Sequence, residues 1–391
     1  MVKINTFALM SGIYIHIPFC KQACHYCNFH FSTSMKYKSE MVDAILKEIE
    51  LQKNYLADKN IETIYFGGGT PSLLNEQELN LFFEKINQLF DVKKDAEITL
   101  EANPDDLTLE KLQLLKATPI NRLSIGVQSF AEIDLRSMNR AHNVMEAESC
   151  IHNAQSLGFD NLTVDLIYGS PTTSNEQWES NVQKLFDFGI PHLSCYCLTV
   201  EPGTALDHFV KKGKAQPVDD EKSAHQFEVL MQMMEANGYD HYEISNFAQP
   251  GKYARHNSNY WTGKSYLGVG PSAHSFDGKS RQWNIANNAL YLKAMEFDKK
   301  KSTKNGSRFE KEILSSEQQY NEYVMTALRT MWGCDLEKIK IWGDNFEKYF
   351  LKTSEKFLQN ETIRRNDDSF VLTKKGKLLA DNIAMELFFE T

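Results

Sequence analysis

Three cysteines near the start of the chain have the side chains best suited to bind a metal. Cys20, Cys24 and Cys27 lie in the stretch CKQACHYC, with three and then two residues between them. Their thiolates can bind one metal centre if the loop that carries them wraps around it. A 4Fe-4S cluster needs four ligands, so three cysteines would leave one iron open to a small molecule.

Zinc is the alternative for the same segment. A zinc site could be completed by His16, His25 or His30, because histidine and cysteine are common ligands of this ion. The chain has seven cysteines, and the crowding of three of them suits a metal or cluster site in a reducing compartment better than disulfides. The cysteines by themselves do not separate a cluster from a zinc ion.

A second group of residues predicts a ligand pocket. The stretch FGGGTP at residues 66–71 puts three glycines where a ligand could approach the backbone closely. Polar side chains then occur at or soon after the ends of later strand-like segments, and these are Glu101, Gln128, Arg140 and Asp165. A carboxylate can accept from an amine or from ribose hydroxyls, and an arginine can pair with a carboxylate. Taken singly, Glu101 and Asp165 are better explained as helix caps and Arg140 as a surface charge, but together these residues predict a pocket for a zwitterionic nucleoside.

Six strand-like segments must position these residues. GIYIHIP, IETIYFGGG, AEITLEANP, RLSIGVQS, NLTVDLIYG and HLSCYCLTV are each followed by a segment of helical periodicity. This alternation implies parallel strands joined by right-handed crossovers, and six units predict an α/β fold built on an incomplete (β/α)6 TIM-like barrel. A doubly wound sheet is the alternative. The barrel is favoured because the unusual residues follow the strands, on the face where barrel enzymes build their sites.

The pattern divides the chain into three regions. Residues 1–240 contain the six units and form the predicted barrel. Residues 241–305 are rich in Gly, Asn, Ser and aromatic residues, and predict loops and short strands that cover the barrel mouth. The charged stretch FDKKKSTKNGSRFEKE, residues 297–312, predicts a solvated linker. Residues 306–391 predict a small C-terminal winged-helix-like α+β domain.

Charge and hydropathy limit the classes of function. The chain has 43 basic and 52 acidic residues, a formal charge of -9, which argues against a nucleic-acid-binding protein. No apolar run approaches the roughly 20 residues of a membrane span. The first residues, MVKINTFALMSG, lack the apolar core and cleavage site of a secretion signal. We therefore expect a cytoplasmic protein without stable membrane insertion.

The CxxxCxxC spacing, the GGGTP stretch and the six-unit pattern resemble the radical S-adenosylmethionine (SAM) enzymes. In that family three cysteines hold a 4Fe-4S cluster, and the fourth iron binds the methionine group of SAM. The resemblance implies that Cys20, Cys24 and Cys27 are the cluster ligands. It further implies SAM contacts at Tyr14, Tyr26, Gly68, Gly69, Thr70, Glu101, Gln128, Arg140 and Asp165.

A closer resemblance covers nearly the whole chain. YIHIPFC, FGGGTPS, EANP, GVQSF and LTKKGKLLADNI are similar to the branch that contains oxygen-independent coproporphyrinogen III oxidase and the HemW-type heme chaperones. The oxidase has a further cysteine two positions after the third, where this chain has Phe29. It also has an N-terminal extension before its first strand, whereas the first strand is expected here by residue 13. Both differences indicate the chaperone side of the branch.

The stretch RHNSNYW at residues 255–261 matches the HNxxY pattern that the resemblance associates with heme binding. It implies heme contacts at His256, Asn257 and Tyr260, and both histidine and tyrosine can ligate heme iron. His274 is a rival ligand. The structural alternative is an aromatic, Asn-rich loop that packs against the barrel mouth.

The resemblance therefore implies a heme chaperone that binds a 4Fe-4S cluster, SAM and heme. Its partners would be apo-hemoproteins such as those of the respiratory chain, and a homodimer is implied by resemblance only. The alternative is an oxidoreductase, coproporphyrinogen III oxidase, which uses radical SAM chemistry to form vinyl groups from propionates in heme biosynthesis. An RNA-modifying radical SAM enzyme is disfavoured by the acidic charge balance.

Overall fold

The computed structural model describes residues 11–297 and 309–390. Six parallel strands form its centre and match the six strand-like segments of the sequence. They are β1 (Ser11–Ile17), β2 (Asn60–Gly68), β3 (Asp91–Ala102), β4 (Arg122–Gln128), β5 (Leu162–Tyr168) and β6 (His192–Cys197). The helices that accompany them are α1 (Lys38–Leu51), α2 (Glu76–Leu89), α3 (Leu109–Lys116), α4 (Glu132–Ser137), α5 (Val144–Ser156), α6 (Asn175–Asp187), α7 (Ala205–Lys211) and α8 (Asp220–Ala236).

The middle region adds short strands on both sides of this unit. Its elements are β7 (Asp240–Glu243), β8 (Asn246–Ala248), α9 (Arg255–Trp261), β9 (Tyr266–Val269), β10 (His274–Phe276), β11 (Ser280–Asn284), α10 (Asn288–Phe297) and β12 (Phe309–Ile313). Strands β7 and β8 extend the sheet beyond β6, and β9 to β12 extend it beyond β1. The sheet thus has 12 strands among the described residues.

The strand order identifies an incomplete barrel. Strands β1 to β6 lie side by side in sequence order, and every neighbouring pair is parallel. A doubly wound sheet would reverse its order at a switch point, so that alternative is wrong. At the two edges, β1 pairs with β9 and β6 pairs with β8. The predicted fold class is therefore confirmed.

The structure corrects two predictions for the middle region. The HNxxY motif lies on helix α9, where we expected loops and short strands. The end of the charged stretch forms the edge strand β12, because the exposed backbone of β11 offers hydrogen-bonding partners to Phe309–Ile313. Residues 298–308, the rest of the predicted linker, lie outside the described residues.

The strands separate apolar from polar side chains. In β1, Ile13, Ile15 and Ile17 are buried in the main apolar core. Tyr14 and His16 alternate with them and face the barrel interior, where Tyr14 stacks on Tyr65 of β2. The barrel interior is therefore polar and aromatic, and can hold groups that an apolar core would exclude.

The C-terminal region forms a small α+β unit of the predicted winged-helix-like type. It contains α11 (Ser316–Leu328), β13 (Cys334–Asp335), α12 (Leu336–Ile339), α13 (Asp344–Gln359), β14 (Ile363–Asn366), β15 (Ser369–Leu372), α14 (Lys374–Lys377) and α15 (Ala380–Glu386). Its three strands are antiparallel, in the order β13-β15-β14. Its apolar core, from Tyr320 to Leu387, is separate from the core between Ile13 and Met295. The exact boundaries at residues 240 and 305 stay predictions.

No helix in the described ranges has both the length and the apolar character that crossing a bilayer requires.

A buried carboxylate fastens the middle region to the barrel. Glu48 of α1 is fully buried and accepts hydrogen bonds from the Gly270 N–H (2.8 Å), the Asn284 side-chain amide (2.8 Å) and the Tyr291 hydroxyl (2.5 Å). A carboxylate is tolerated in a protein interior only when such donors satisfy it. Glu48 therefore fixes the residues around β9 to β11 against helix α1.

Replacing this carboxylate should destabilise the protein strongly. Glu48→Ala removes the shared acceptor of three buried hydrogen bonds, and we expect a loss of about 3 kcal/mol or more in the free energy of unfolding. Denaturant unfolding followed by circular dichroism measures the change. Glu50→Ala, on the exposed side of the same helix, is the matched control and should change stability by less than about 0.5 kcal/mol. Equal effects of the two substitutions would contradict the anchoring role of Glu48.

Candidate functional site

A cavity of about 430 Å³ lies at the carboxyl ends of the barrel strands, and we call it the cofactor cavity. Its lining contains most of the residues that the sequence assigned to the cluster and to SAM. These are Cys20, Cys24, Cys27, Tyr26, Gly68, Gly69, Thr70, Glu101, Gln128, Arg140 and Asp165. The fold therefore brings residues from the loop after β1 together with residues from strands β2 to β5 and the segments that follow them.

Tyr14 is not among the residues that line this cavity. Its hydroxyl lies 3.2 Å from His16 Nδ1, and its side chain lines a second cavity. This interdomain cleft is bordered by Tyr14, Tyr260, His274, Tyr323 and Trp342, among others. A contact of Tyr14 with SAM stays a prediction.

Backbone hydrogen bonds hold the cysteine loop over the strand ends. The Gly69 N–H donates to the Ile17 carbonyl (2.9 Å), and the Thr70 N–H donates to the Phe19 carbonyl (2.7 Å). The Cys20 N–H donates to the Ser32 carbonyl (3.1 Å), which joins the start of the loop to its end. The first cysteine is thus fixed between β1 and the glycine-rich turn after β2.

The segment between α4 and α5 supports the other side of the loop. Asn139 has a left-handed backbone with a φ of 56°, and its side chain donates to the Ala23 carbonyl (2.7 Å). Its own carbonyl accepts from the Gln22 side chain (2.9 Å). The next residue, Arg140, is thereby placed with Nη1 3.3 Å from the Cys24 sulfur.

The glycine run is required by the packing of the protein itself. A Cβ on Gly69 would lie 2.5 Å from the Phe19 carbonyl oxygen, and a Cβ on Gly68 would lie 2.6 Å from the His16 ring. Gly68 also has a φ of 103°, which residues with a side chain rarely adopt. Packing therefore requires glycine at these positions, and a close approach of a ligand to this backbone stays a prediction, since Gly68 and Gly69 also line the cavity.

Arg140 links the cysteine loop to β4 and retains an unused donor. Its Nη2 donates to Asn103 Oδ1 and to the Gly126 carbonyl, both at 2.6 Å. Its Nε is buried and has no hydrogen-bond partner in the described part of the chain. Leaving a buried charged donor unsatisfied is costly, so this atom suits an acceptor on a bound molecule, such as a carboxylate.

Two carboxyl groups share the cavity with this arginine. Burial, together with the nearby charge of Asp165, raises the pKa of Glu101 to about 7. Burial likewise raises the pKa of Asp165 to about 6. Glu101 accepts from the Tyr65 hydroxyl (2.8 Å) and the Gly68 N–H (3.1 Å). A cationic group on a ligand would favour the ionised form of both side chains.

These donors and acceptors fit a 4Fe-4S cluster with SAM. Three free thiols line one cavity, and burial raises the pKa of the Cys20 thiol to about 11, so iron must displace its proton. The unpaired Nε of Arg140 suits the SAM carboxylate, while Glu101 and Asp165 suit amine or ribose donors.

The zinc alternative fits less well. Within residues 11–297 and 309–390, no three His, Cys, Asp or Glu side chains are arranged to hold one metal ion. The three candidate histidines have other partners: His16 Nε2 contacts the His30 carbonyl (2.9 Å), His25 Nδ1 the Ser137 carbonyl (2.9 Å) and His30 Nε2 the Asn288 amide oxygen (2.7 Å). The thiolates of a cluster bind different irons and need not converge on one point.

Sequence reasoning missed several residues of the cavity wall, namely Asn103, Ser124, Tyr196 and Cys197. Asn103 and Tyr196 lie at strand ends, so the rule that found Glu101 also applies to them. Side chains alternate between the two faces of a strand, so Ser124 lies on the same face of β4 as Gly126 and Gln128. This alternation could have identified Ser124 from the sequence. Gln128 has a φ of 69°, a strained backbone of the kind that marks functional sites.

The HNxxY residues lie away from the cofactor cavity. His256 is 2% exposed, and its Nδ1 and Nε2 each lie 2.8 Å from a hydroxyl, on Thr63 and Tyr260 respectively. Burial lowers the pKa of His256 to about 3. Tyr260 lines the interdomain cleft, whereas His256 and Asn257 line neither cavity. Heme ligation by His256 stays a prediction, and it requires one of these hydrogen bonds to break.

Comparison with known proteins assigns the family. Residues 14–185 match the radical SAM superfamily model, and residues 314–379 match the HemN C-terminal domain. A Bacillus subtilis protein named heme chaperone HemW is 32% identical over 382 residues, which cover 96% of this chain and 98% of the relative. The chain belongs to the HemW-type family of radical SAM proteins. The Escherichia coli heme chaperone HemW is 36% identical over 279 residues, covering 70% of this chain and 71% of that protein.

Solved structures support the fold of this HemW-type chain. The radical SAM enzyme coproporphyrinogen III oxidase (HemN) from Escherichia coli superposes with a TM-score of 0.82 at 23% identity. The match covers 97% of this chain and 90% of that one. At 23% identity this likeness shows a shared fold, and it does not show a shared activity.

The cluster assignment predicts a selective effect of cysteine substitutions. Cys24→Ser should abolish the brown iron-sulfur absorbance and most of the bound iron after anaerobic reconstitution, because one thiolate ligand is lost. Cys197→Ser is the matched control, since Cys197 lines the same cavity outside the motif, and it should retain iron and sulfide. Zinc in the anaerobically purified protein, with no iron uptake on reconstitution, would return the site to the zinc interpretation.

The affinity for SAM should depend on pH through Glu101. Its raised pKa of about 7 means that the carboxyl group ionises mainly between pH 6 and 8, so binding of a cationic ligand should strengthen about tenfold over that range. Asp165 raises this pKa electrostatically, and the hydrogen bonds from Tyr65 and Gly68 lower it. The other titratable groups that interact with Glu101 are Tyr14, Tyr196, Tyr260 and Cys27. Calorimetric titration of the cluster-loaded protein measures the dependence. Glu101→Gln should bind weakly and keep only the roughly twofold change that Asp165, with a pKa of about 6, contributes over this range, and an unchanged pH dependence in this variant would contradict the assignment.

Proposed function

We propose that this chain is a heme chaperone that binds a 4Fe-4S cluster, SAM and heme, and delivers heme to apo-hemoproteins in the cytoplasm. One observation carries the proposal: the cavity with three motif thiols lies directly beside a larger cleft of about 900 Å³. Asn28 and Phe29 line both. Cofactors and a tetrapyrrole can therefore be held in neighbouring sites.

The lining of the cofactor cavity supports the choice of most cofactor residues. In the proposal, Cys20, Cys24 and Cys27 hold the cluster, whose open iron would bind and polarise SAM. Arg140 pairs with the SAM carboxylate, and the carboxyl groups of Glu101 and Asp165 accept hydrogen bonds from amine and ribose groups. The remaining predicted SAM contacts are Tyr14, Tyr26, Gly68, Gly69, Thr70 and Gln128.

Phe29 favours transfer of heme over oxidation of a porphyrinogen. The oxidase branch has a cysteine at this position, and here the side chain is a phenylalanine that is 70% exposed between the two cavities. A phenyl ring supplies neither a proton nor a thiol to a substrate in the cleft. It offers an apolar surface to a hydrophobic macrocycle instead.

The partners are part of the same proposal. The HemW names of the relatives support heme as the cargo. The recipients are apo-hemoproteins such as those of the respiratory chain, and the chaperone works as a homodimer without stable membrane insertion or nucleic-acid binding.

An anaerobic assay tests the choice between chaperone and oxidase. The reconstituted protein, given SAM, a reductant and coproporphyrinogen III, should form no more protoporphyrinogen than a cluster-free Cys24→Ser control. The same protein loaded with hemin should pass it to an apo-form of a b-type cytochrome, seen as the rise of the holo-cytochrome absorbance.

The Escherichia coli oxidase named above serves as the positive control for turnover. Sustained formation of protoporphyrinogen by this chain would overturn the chaperone proposal. If the protein did not bind hemin, or passed hemin to the apo-cytochrome no faster than serum albumin does, the proposal that it delivers heme would be wrong.

A further inference from the structure

The interdomain cleft has the size and position of a ligand site. Its volume of about 900 Å³ lies in the roughly 300–1,000 Å³ range of small-molecule sites, which often occur between domains. One wall comes from α9 and the β9–β11 strands, and the opposite wall comes from α11 and the segment at 338–342. Because Phe29 also borders the cofactor cavity, an occupant of the cleft would lie next to the cofactors.

Aromatic side chains line both walls of the cleft. On the barrel side, the rings of Tyr260 and Tyr266 are 4.5 Å apart and nearly perpendicular. On the C-terminal side, the rings of Tyr323 and Trp342 are 5.4 Å apart. Such walls bury a large, flat, apolar ligand through offset and edge contacts. A porphyrin has this shape and chemistry.

His274 offers an unused imidazole to this cleft. It is exposed on β10 and lines the cavity, and its ring nitrogens make no hydrogen bond with any residue in the described ranges. Partial burial lowers its pKa, and the charge of Arg281 lowers it further. The imidazole is therefore neutral at pH 7, which is the form that ligates iron.

His256 is a poorer ligand for iron in this structure. Its two ring nitrogens are both occupied by hydroxyl groups, on Thr63 and Tyr260. Thr63 lies opposite Glu97 of β3 in the strand register, before the end of β2. The Glu97 carboxylate accepts a hydrogen bond from the backbone N–H of His256 (2.9 Å). These bonds fix helix α9 against the barrel and give His256 a structural role.

Two basic side chains border the cleft on opposite walls. Arg281 of β11 and Lys338 of α12 both line it and are exposed. Arg281 Nη2 lies 2.6 Å from Glu322 Oε1, which leaves its other donors free to turn to an anion, and Lys338 Nζ lies 5.7 Å from the centre of the Tyr323 ring. Guanidinium and ammonium groups are the usual partners of carboxylates such as heme propionates.

We propose that iron porphyrin binds in the interdomain cleft with its iron on His274 and its propionates paired with Arg281 and Lys338. This inference rests on the proposed function, since it specifies where the cargo lies. It also assigns His256 to holding helix α9 rather than to binding iron.

Hemin titration of the cluster-loaded full chain tests the ligand. His274→Ala should weaken hemin binding by roughly tenfold or more and remove the histidine-ligated signature from the electron paramagnetic resonance and absorption spectra. Added imidazole should restore that signature in His274→Ala, which a purely structural role of His274 does not predict. His256→Gln, checked for folding by circular dichroism, should keep the wild-type spectrum.

His225→Ala, at an exposed histidine on α8, controls for hemin that binds to surface histidines and should match the wild type. Arg281→Ala combined with Lys338→Ala should weaken hemin binding while leaving the iron spectrum unchanged. If His274→Ala kept the wild-type spectrum and folded His256→Gln lost it, the inference about the heme site would be wrong. The proposed function would still stand. Absence of saturable hemin binding by the wild type would overturn the proposed function together with the inference.

Discussion

The close contact between the glycine turn after β2 and the backbone after β1 determines the arrangement of the cofactor cavity. At Gly69 even a methyl group would lie 2.5 Å from the Phe19 carbonyl oxygen, so only glycine lets the two segments meet. The hydrogen bonds from Gly69 and Thr70 then hold the start of the cysteine loop on the barrel. Asn139 holds the far side of that loop. A long loop is thereby positioned by a rigid scaffold at both ends.

The cavity buries polar groups at an energetic cost that a bound ligand can remove. Glu101 and Asp165 are buried with raised pKa values, and Arg140 Nε is buried without a partner among the described residues. Each costs stability in the free protein. A zwitterionic ligand with an amine, hydroxyls and a carboxylate would satisfy all three groups, which links their burial to binding. Phe29 then separates this polar cavity from the aromatic cleft.

Much of the fold followed from the sequence because its signals are local. Alternation of strand and helix predicts the parallel barrel, and residues at strand ends such as Glu101 and Gln128 meet because parallel strands end on one face. The reason for Gly68 and Gly69 could not be predicted, since the atoms they avoid belong to another strand. The helical HNxxY segment was missed because seven residues carry too little periodicity to predict a helix. The burial of His256 against Thr63, 193 positions apart in the chain, is a tertiary contact that no local pattern encodes.

We propose that one chain holds the cluster and heme in adjacent, separate sites. Anomalous diffraction at the iron edge, from crystals of the reconstituted protein soaked with hemin, tests it most directly. We expect two iron positions, one among Cys20, Cys24 and Cys27 and the other in the interdomain cleft beside His274. Iron only at the cysteines, or a second iron beside His256 within the barrel, would contradict it.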